Sequence, residues 1–225
     1  MTRGILLAGN ESPLFSATAA EAEKRVEKYA AALIYNPAAV KPGELKSEKM
    51  IPIVWNPGSS ISGRTLLLSA ENWMGQVNDA ILICQPPSMY KPAESLAPAD
   101  IESHVNSQIK GWFFLIRELA IYFRARGSGT LALVIPETVS GGGESLSDFF
   151  GAPAAAAFRA IARELLTGSA AEPFHVLGFT YSESSARYGA GQEKEFVSWM
   201  FKILDEGSRK NSGKWHKFGK FSLFK

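Results

Sequence analysis

Short β-branched or apolar runs alternate with longer helical patterns along the whole chain, and this alternation leaves few folds open. Strands of four to eight apolar residues, closed by turn residues and alternating with helix-length segments, are the pattern of helical crossovers between parallel strands. The clearest unit opens at Thr130–Ile135, between Gly127-Ser128-Gly129 and Pro136. A glycine loop, Ser140–Gly143, follows, and from Ala154 an alanine-rich helix runs to Gly168. The same reading gives strands at Gly4–Gly9, Ala31–Tyr35, Met50–Trp55, Asp79–Cys84, Phe174–Phe179 and Lys220–Phe224. Helices are expected over Ser16–Ala32, rich in Ala, Glu and Lys, over Ser60–Asn78 and Gln192–Asp205, and over Pro98–Arg126, where apolar residues recur at three- and four-residue steps. The outcome is one α/β domain over residues 1–225, a doubly wound parallel sheet of about seven strands with helices on both faces.

Composition narrows the function classes. A hydrophobic share of 46% with 20% charged residues is that of an ordinary soluble domain, and a net charge of +2 gives no case for a nucleic-acid partner. In the basic tail, Lys214, Lys217, Lys220 and Lys225 alternate with Trp215, Phe218, Phe221 and Phe224, which reads as a solvated edge strand. One cysteine, Cys84, excludes an internal disulfide and reads as a small buried hydrophobe. His104, His175 and His216 lack metal-ligand spacing, so no metal is expected. No Gly-x-Ser-x-Gly elbow precedes a helix, which argues against a serine hydrolase. With no leader-like or membrane-length apolar segment, the expectation is a cytoplasmic protein without a membrane partner.

Strand, glycine loop and alanine-faced helix in this order resemble the short-chain dehydrogenase/reductase family. That resemblance implies a catalytic Tyr-x-x-x-Lys at the start of the helix, and the two positions read Phe150 and Ala154. The family's serine position falls at about Glu137, and its helix asparagine is matched by Asn106. Its Gly-x-x-x-Gly-x-Gly phosphate loop keeps Gly9 but has Pro13 and Phe15 at the other glycines. Asn36 stands where a carboxylate holds the adenosine ribose, Asn56 where an Asp touches adenine, and Cys84-Gln85-Pro86-Pro87 where Asn-Asn-Ala-Gly lines the cofactor.

Phenylalanine has no proton to give, alanine has no charge, and Pro13 removes an amide donor from the phosphate loop. The expectation is a scaffold without the proton-transfer chemistry, impaired in dinucleotide binding and serving as a binding or regulatory subunit. Two alternatives stay open. One is an oxidoreductase using NAD or NADP with its acid/base group moved to Glu137, Tyr181 or Tyr188, with Lys110 as a substitute ammonium; the other is a small-molecule binding protein. The resemblance further implies a homodimer or homotetramer through the helices carrying Asn106 and Phe158, or pairing with an active relative.

Overall fold

Parallel strands flanked by helices are buried on both faces, and the central strands here are apolar through their middles, Ile81, Leu82, Leu133 and Val134 among them. The computed structural model describes residues 3–34, 47–137, 148–182 and 192–219. In chain order the elements are β1 (Gly4–Gly9), α1 (Pro13–Arg25), β2 (Lys28–Ile34), β3 (Met50–Trp55), α2 (Ser62–Met74) and β4 (Asp79–Ile83). Next come α3 (Pro98–Val105), a π-helical turn (Asn106–Lys110), α4 (Gly111–Arg126) and β5 (Thr130–Glu137). The chain closes with α5 (Gly151–Gly168), β6 (His175–Ser182), α6 (Gln192–Glu206) and β7 (Lys214–Phe218).

All seven strands form one sheet in the order β3-β2-β1-β4-β5-β6-β7, and every neighbouring pair is parallel. The chain winds outward from β1 to β3, then returns to place β4 on the other side of β1. The switch point therefore lies between β1 and β4, the place where open α/β sheets bind ligands. Alternate residues of each strand feed two cores. Leu6, Leu82 and Leu133 pack with Trp112 and Phe158 on the face of α2, α4 and α5, while Leu7, Ile83 and Val134 pack with Phe15 and Phe196 under α1 and α6.

Several boundaries differ from the sequence expectation. The first helix stops at Arg25, and Lys28–Ala30, expected only as helix, already belong to the strand. Tyr29 pairs with Ile5 on one side and Met50 on the other, so pairing on both edges overrides the helix propensity of the alanines. The second helix ends at Met74 because Gly75 takes φ 79°, which only glycine adopts cheaply. Strand β5 continues through Pro136 instead of ending before it. The Cys84 amide donates to the Val134 carbonyl at 2.9 Å, so Pro136, two residues on, points to the same side, where β4 has ended. Its missing N–H costs no ladder bond. The last described strand is Lys214–Phe218; the strand expected at Lys220–Phe224 lies outside the described residues.

Edge strand β3 uses its own proline. The Tyr29 amide donates to the Lys49 carbonyl at 2.9 Å, which turns residues 49, 51 and 53 toward β2 and leaves Pro52 facing outward. An edge without that N–H resists pairing with another sheet. Among the described residues no helix is long and apolar enough to cross a membrane.

Candidate functional site

The switch-point crevice is filled from within. An ideal Cβ on Gly9 would lie 2.7 Å from the Ile83 carbonyl oxygen and 3.2 Å from the Phe15 ring. Gly9 thus serves the close packing of β1, β4 and Phe15, whose side chain is 1% exposed. The N-terminus of α1 is closed by the chain itself. Ser12 caps it, its hydroxyl accepting from the Phe15 amide at 3.1 Å and its carbonyl from the Ser16 amide at 3.0 Å. Pro13 contributes no amide, so among first-turn donors only that of Leu14 stays uncommitted to the cap. A pyrophosphate at a helix N-terminus needs those donors and a close backbone approach. The residues present do not fit it.

Above Phe15 the crevice is bridged by a pair of carboxamides that sequence reading did not single out. The Asn10 amide nitrogen donates to the Gln108 side-chain oxygen at 2.9 Å and to the Gln85 carbonyl at 2.9 Å. Gln108, only 5% exposed, donates back to Asn10 at 3.2 Å. The loop after β1, the end of β4 and the π turn are therefore joined by neutral hydrogen bonds. Gln108 is the buried residue of the widened turn Asn106–Lys110, a π turn of the kind that often marks functional positions.

At the start of α5, Phe150 and Ala154 stand one turn apart, 6% and 0% exposed. The Phe150 ring stacks on His104, with centroids 4.4 Å apart and planes at 12°. His104 Nε2 lies 2.9 Å from the Phe150 carbonyl oxygen, to which it donates as Nε2–H. Burial lowers the His104 pKa against the opposing pull of that carbonyl and of Asp148. Asp148 ties the loop after β4 to α5, its Oδ1 accepting from the amides of Met89 at 2.9 Å, Gly151 at 2.9 Å and Phe150 at 3.3 Å. Burial raises the Asp148 carboxyl, but the bonds from Met89, Gly151, Ser88 and Phe150 outweigh it and hold the group below its ordinary value. Both titratable groups are thus committed to backbone. A lysine in place of Ala154 would begin inside the core.

The other family positions are dispersed. Asn106 lies beside the turn after β3, its Cβ 3.5 Å from where a Gly58 Cβ would stand, and its side-chain oxygen accepts from Lys110 at 3.3 Å. Lys110 also sits 5.7 Å from the centre of the Phe114 ring, so its ammonium serves its own helix. The Asn56 side chain accepts from the Gly58 amide at 3.2 Å and holds its own turn. Glu137 ends β5 opposite Ser182, Tyr181 opposes Pro136, and Gln85 follows β4. Asn36 and Tyr188 lie outside the described residues. Among the described residues no group of three His, Cys, Asp or Glu side chains could hold a metal ion.

Strand order, the crossover at β1 and β4, and a helix leading away from each crevice strand define a doubly wound, Rossmann-type protein. Its fold is that of the short-chain dehydrogenase/reductase structures. An NADH-dependent reductase solved with NAD is similar with a TM-score of 0.75, at 12% identity over 96% of this chain and 94% of that one. A short chain dehydrogenase from Mycobacterium smegmatis is similar with a TM-score of 0.73, at 14% identity over 97% of this chain and 92% of that one. No protein-family model and no curated protein sequence matches the chain.

Proposed function

We propose that this protein is a divergent short-chain dehydrogenase/reductase relative that no longer carries out dinucleotide-dependent oxidation and reduction and works as a binding or regulatory subunit. One observation carries the reading: the crevice that would take the pyrophosphate is occupied by Phe15, capped by Ser12 and bridged by Asn10 and Gln108. Phe150 and Ala154 agree with it, since neither can hold or transfer a proton. Titration calorimetry with NAD, NADH, NADP and NADPH tests it. Dissociation constants of about a millimolar or weaker are expected for all four, and a micromolar value for any of them would overturn the reading.

As a subunit the protein offers the faces of α4 and α5. Phe113 on α4 is 55% exposed, and α5 turns Ala156 and Ala160 outward while Phe158 and Leu166 fill its own core. An identical chain or an active relative would meet these helices, alanine allowing close approach and Phe113 supplying apolar area.

A further inference from the structure

Helices α2 and α4 lie side by side because Gly63 allows it: a Cβ there would be 3.3 Å from the Leu115 backbone. Farther along they enclose an open hollow of about 420 Å³, whose lining includes Leu67, Leu68, Ile121 and Tyr122. Leu68 is 48% and Ile121 47% exposed, so the hollow presents apolar surface to water. Arg64 and Glu71 border it on α2, seven residues apart, which is about 10 Å along a helix axis. Neither side chain has a hydrogen-bond or ion-pair partner among the described residues, while the Glu71 carbonyl accepts from the Gly75 amide. Across the hollow, by contrast, Arg117 is satisfied by Glu118 of the same chain.

A positive and a negative charge on either side of an exposed leucine form a self-complementary pattern. Rotation by a half-turn about an axis through the α2 stripe near Leu68 reverses the helix and exchanges the two signs. Each Arg64 then faces the Glu71 of the other copy, and the two leucines meet at the axis. We propose that this α2–α4 hollow is the contact face of a homodimer, held by two Arg64–Glu71 pairs around Leu68. The proposal does not depend on the fate of the dinucleotide site. It also differs from the α4–α5 contact, because it places α2 at the centre of the interface.

Charge exchange tests it directly. Sedimentation of the wild type at micromolar concentration should show a dimer, or a tetramer if the α4–α5 face is used as well. Arg64→Glu and Glu71→Arg should each weaken the contact about tenfold or more, because the two-fold axis doubles every change. The double variant, R64E with E71R, restores opposite charges across the axis and should restore assembly, a recovery that a general loss of stability would not give. Circular dichroism melts establish that each variant folds; if Arg64→Glu does not, Glu71→Arg reads the same pair from its other member. Ala160→Glu on α5 should leave this contact intact. A monomeric wild type, undiminished assembly in both single variants, or a double variant no better than either single one would overturn the proposal.

Discussion

The two ends of the sheet are tied together by opposite chemistry. At the amino ends of the strands the ties are ionic: Arg3 holds Asp79 at 2.5 Å and also Asp205, and Asp205 in turn holds Arg25, which is bound to Glu21 at 2.7 Å. At the carboxyl ends, over the switch point, they are neutral, with Asn10, Gln108 and the Gln85 carbonyl sharing amide hydrogen bonds. A dinucleotide site would need free donors at the second end, ready for an anion. Here the Asn10 and Gln108 donors at that end are spent within the protein, and the chain of ion pairs from Arg3 to Glu21 sits at the end where no cofactor is bound in this type of sheet.

Phe15→Ala attacks the closed end most directly. Removing a ring that is 1% exposed should cost about 3–5 kcal/mol in a urea melt. The variant also sharpens the comparison. Bulk alone would be replaced by room, and dinucleotide affinity would appear; because the Ser12 cap and Pro13 remain, none is expected by calorimetry.

A smaller effect separates the two ends by their response to salt. Gln108→Ala and Asp79→Ala should each lose on the order of 1–3 kcal/mol, since each leaves a partner group without its bond. Raising the salt concentration should shrink the Asp79 loss, because Arg3 and Asp205 are partly open to solvent, and leave the Gln108 loss unchanged. Equal salt dependence at both ends would erase the distinction.

The smallest effect is that of pH. Burial lowers the pKa of His104 and of His175 below the ordinary 6.5, with the charge of Arg209 adding to the effect on His175. The unfolded chain therefore takes up protons first on acidification. The stabilisation from keeping both rings neutral is complete above 6.5 and is lost as pH falls through the folded-state values. Urea midpoints should decline from about pH 7.5 to 5.5, and His104→Asn should flatten the decline. A flat wild-type profile would contradict the assigned direction.

The sheet was largely readable because buried strands such as Asp79–Ile83 and Thr130–Ile135 announce themselves locally, by apolar runs between turn residues. Lys28–Ala30 does not read as strand, because this stretch continues a helix-favouring sequence, whereas its strand state depends on Ile5 and Met50, remote in sequence. The substitutions Phe150, Ala154, Pro13 and Phe15 could be located by spacing against a resembling family. Asn10 and Gln108 could not. They are polar amides 98 positions apart, and neither residue type nor spacing signals a bond that exists only once the sheet has folded. The ties of Asp148 and of His104 are illegible for the same reason, since their partners are mostly backbone groups, which carry no sequence label.

The widened turn at Asn106–Lys110 also acts as a phase shifter. A π turn takes in one residue more than an α turn, so the segments before and after it are rotated against each other by about 100° compared with an uninterrupted helix. In a regular helix the stripe that seats Trp112, Leu115 and Leu119 on the sheet would extend backward on a single line. With the extra residue, α4 can keep its fixed seat while Gln108, within the turn, meets Asn10 at the carboxyl end of β1. One inserted residue is thus taken up within a single turn, and the frame of the sheet need not move to accommodate it.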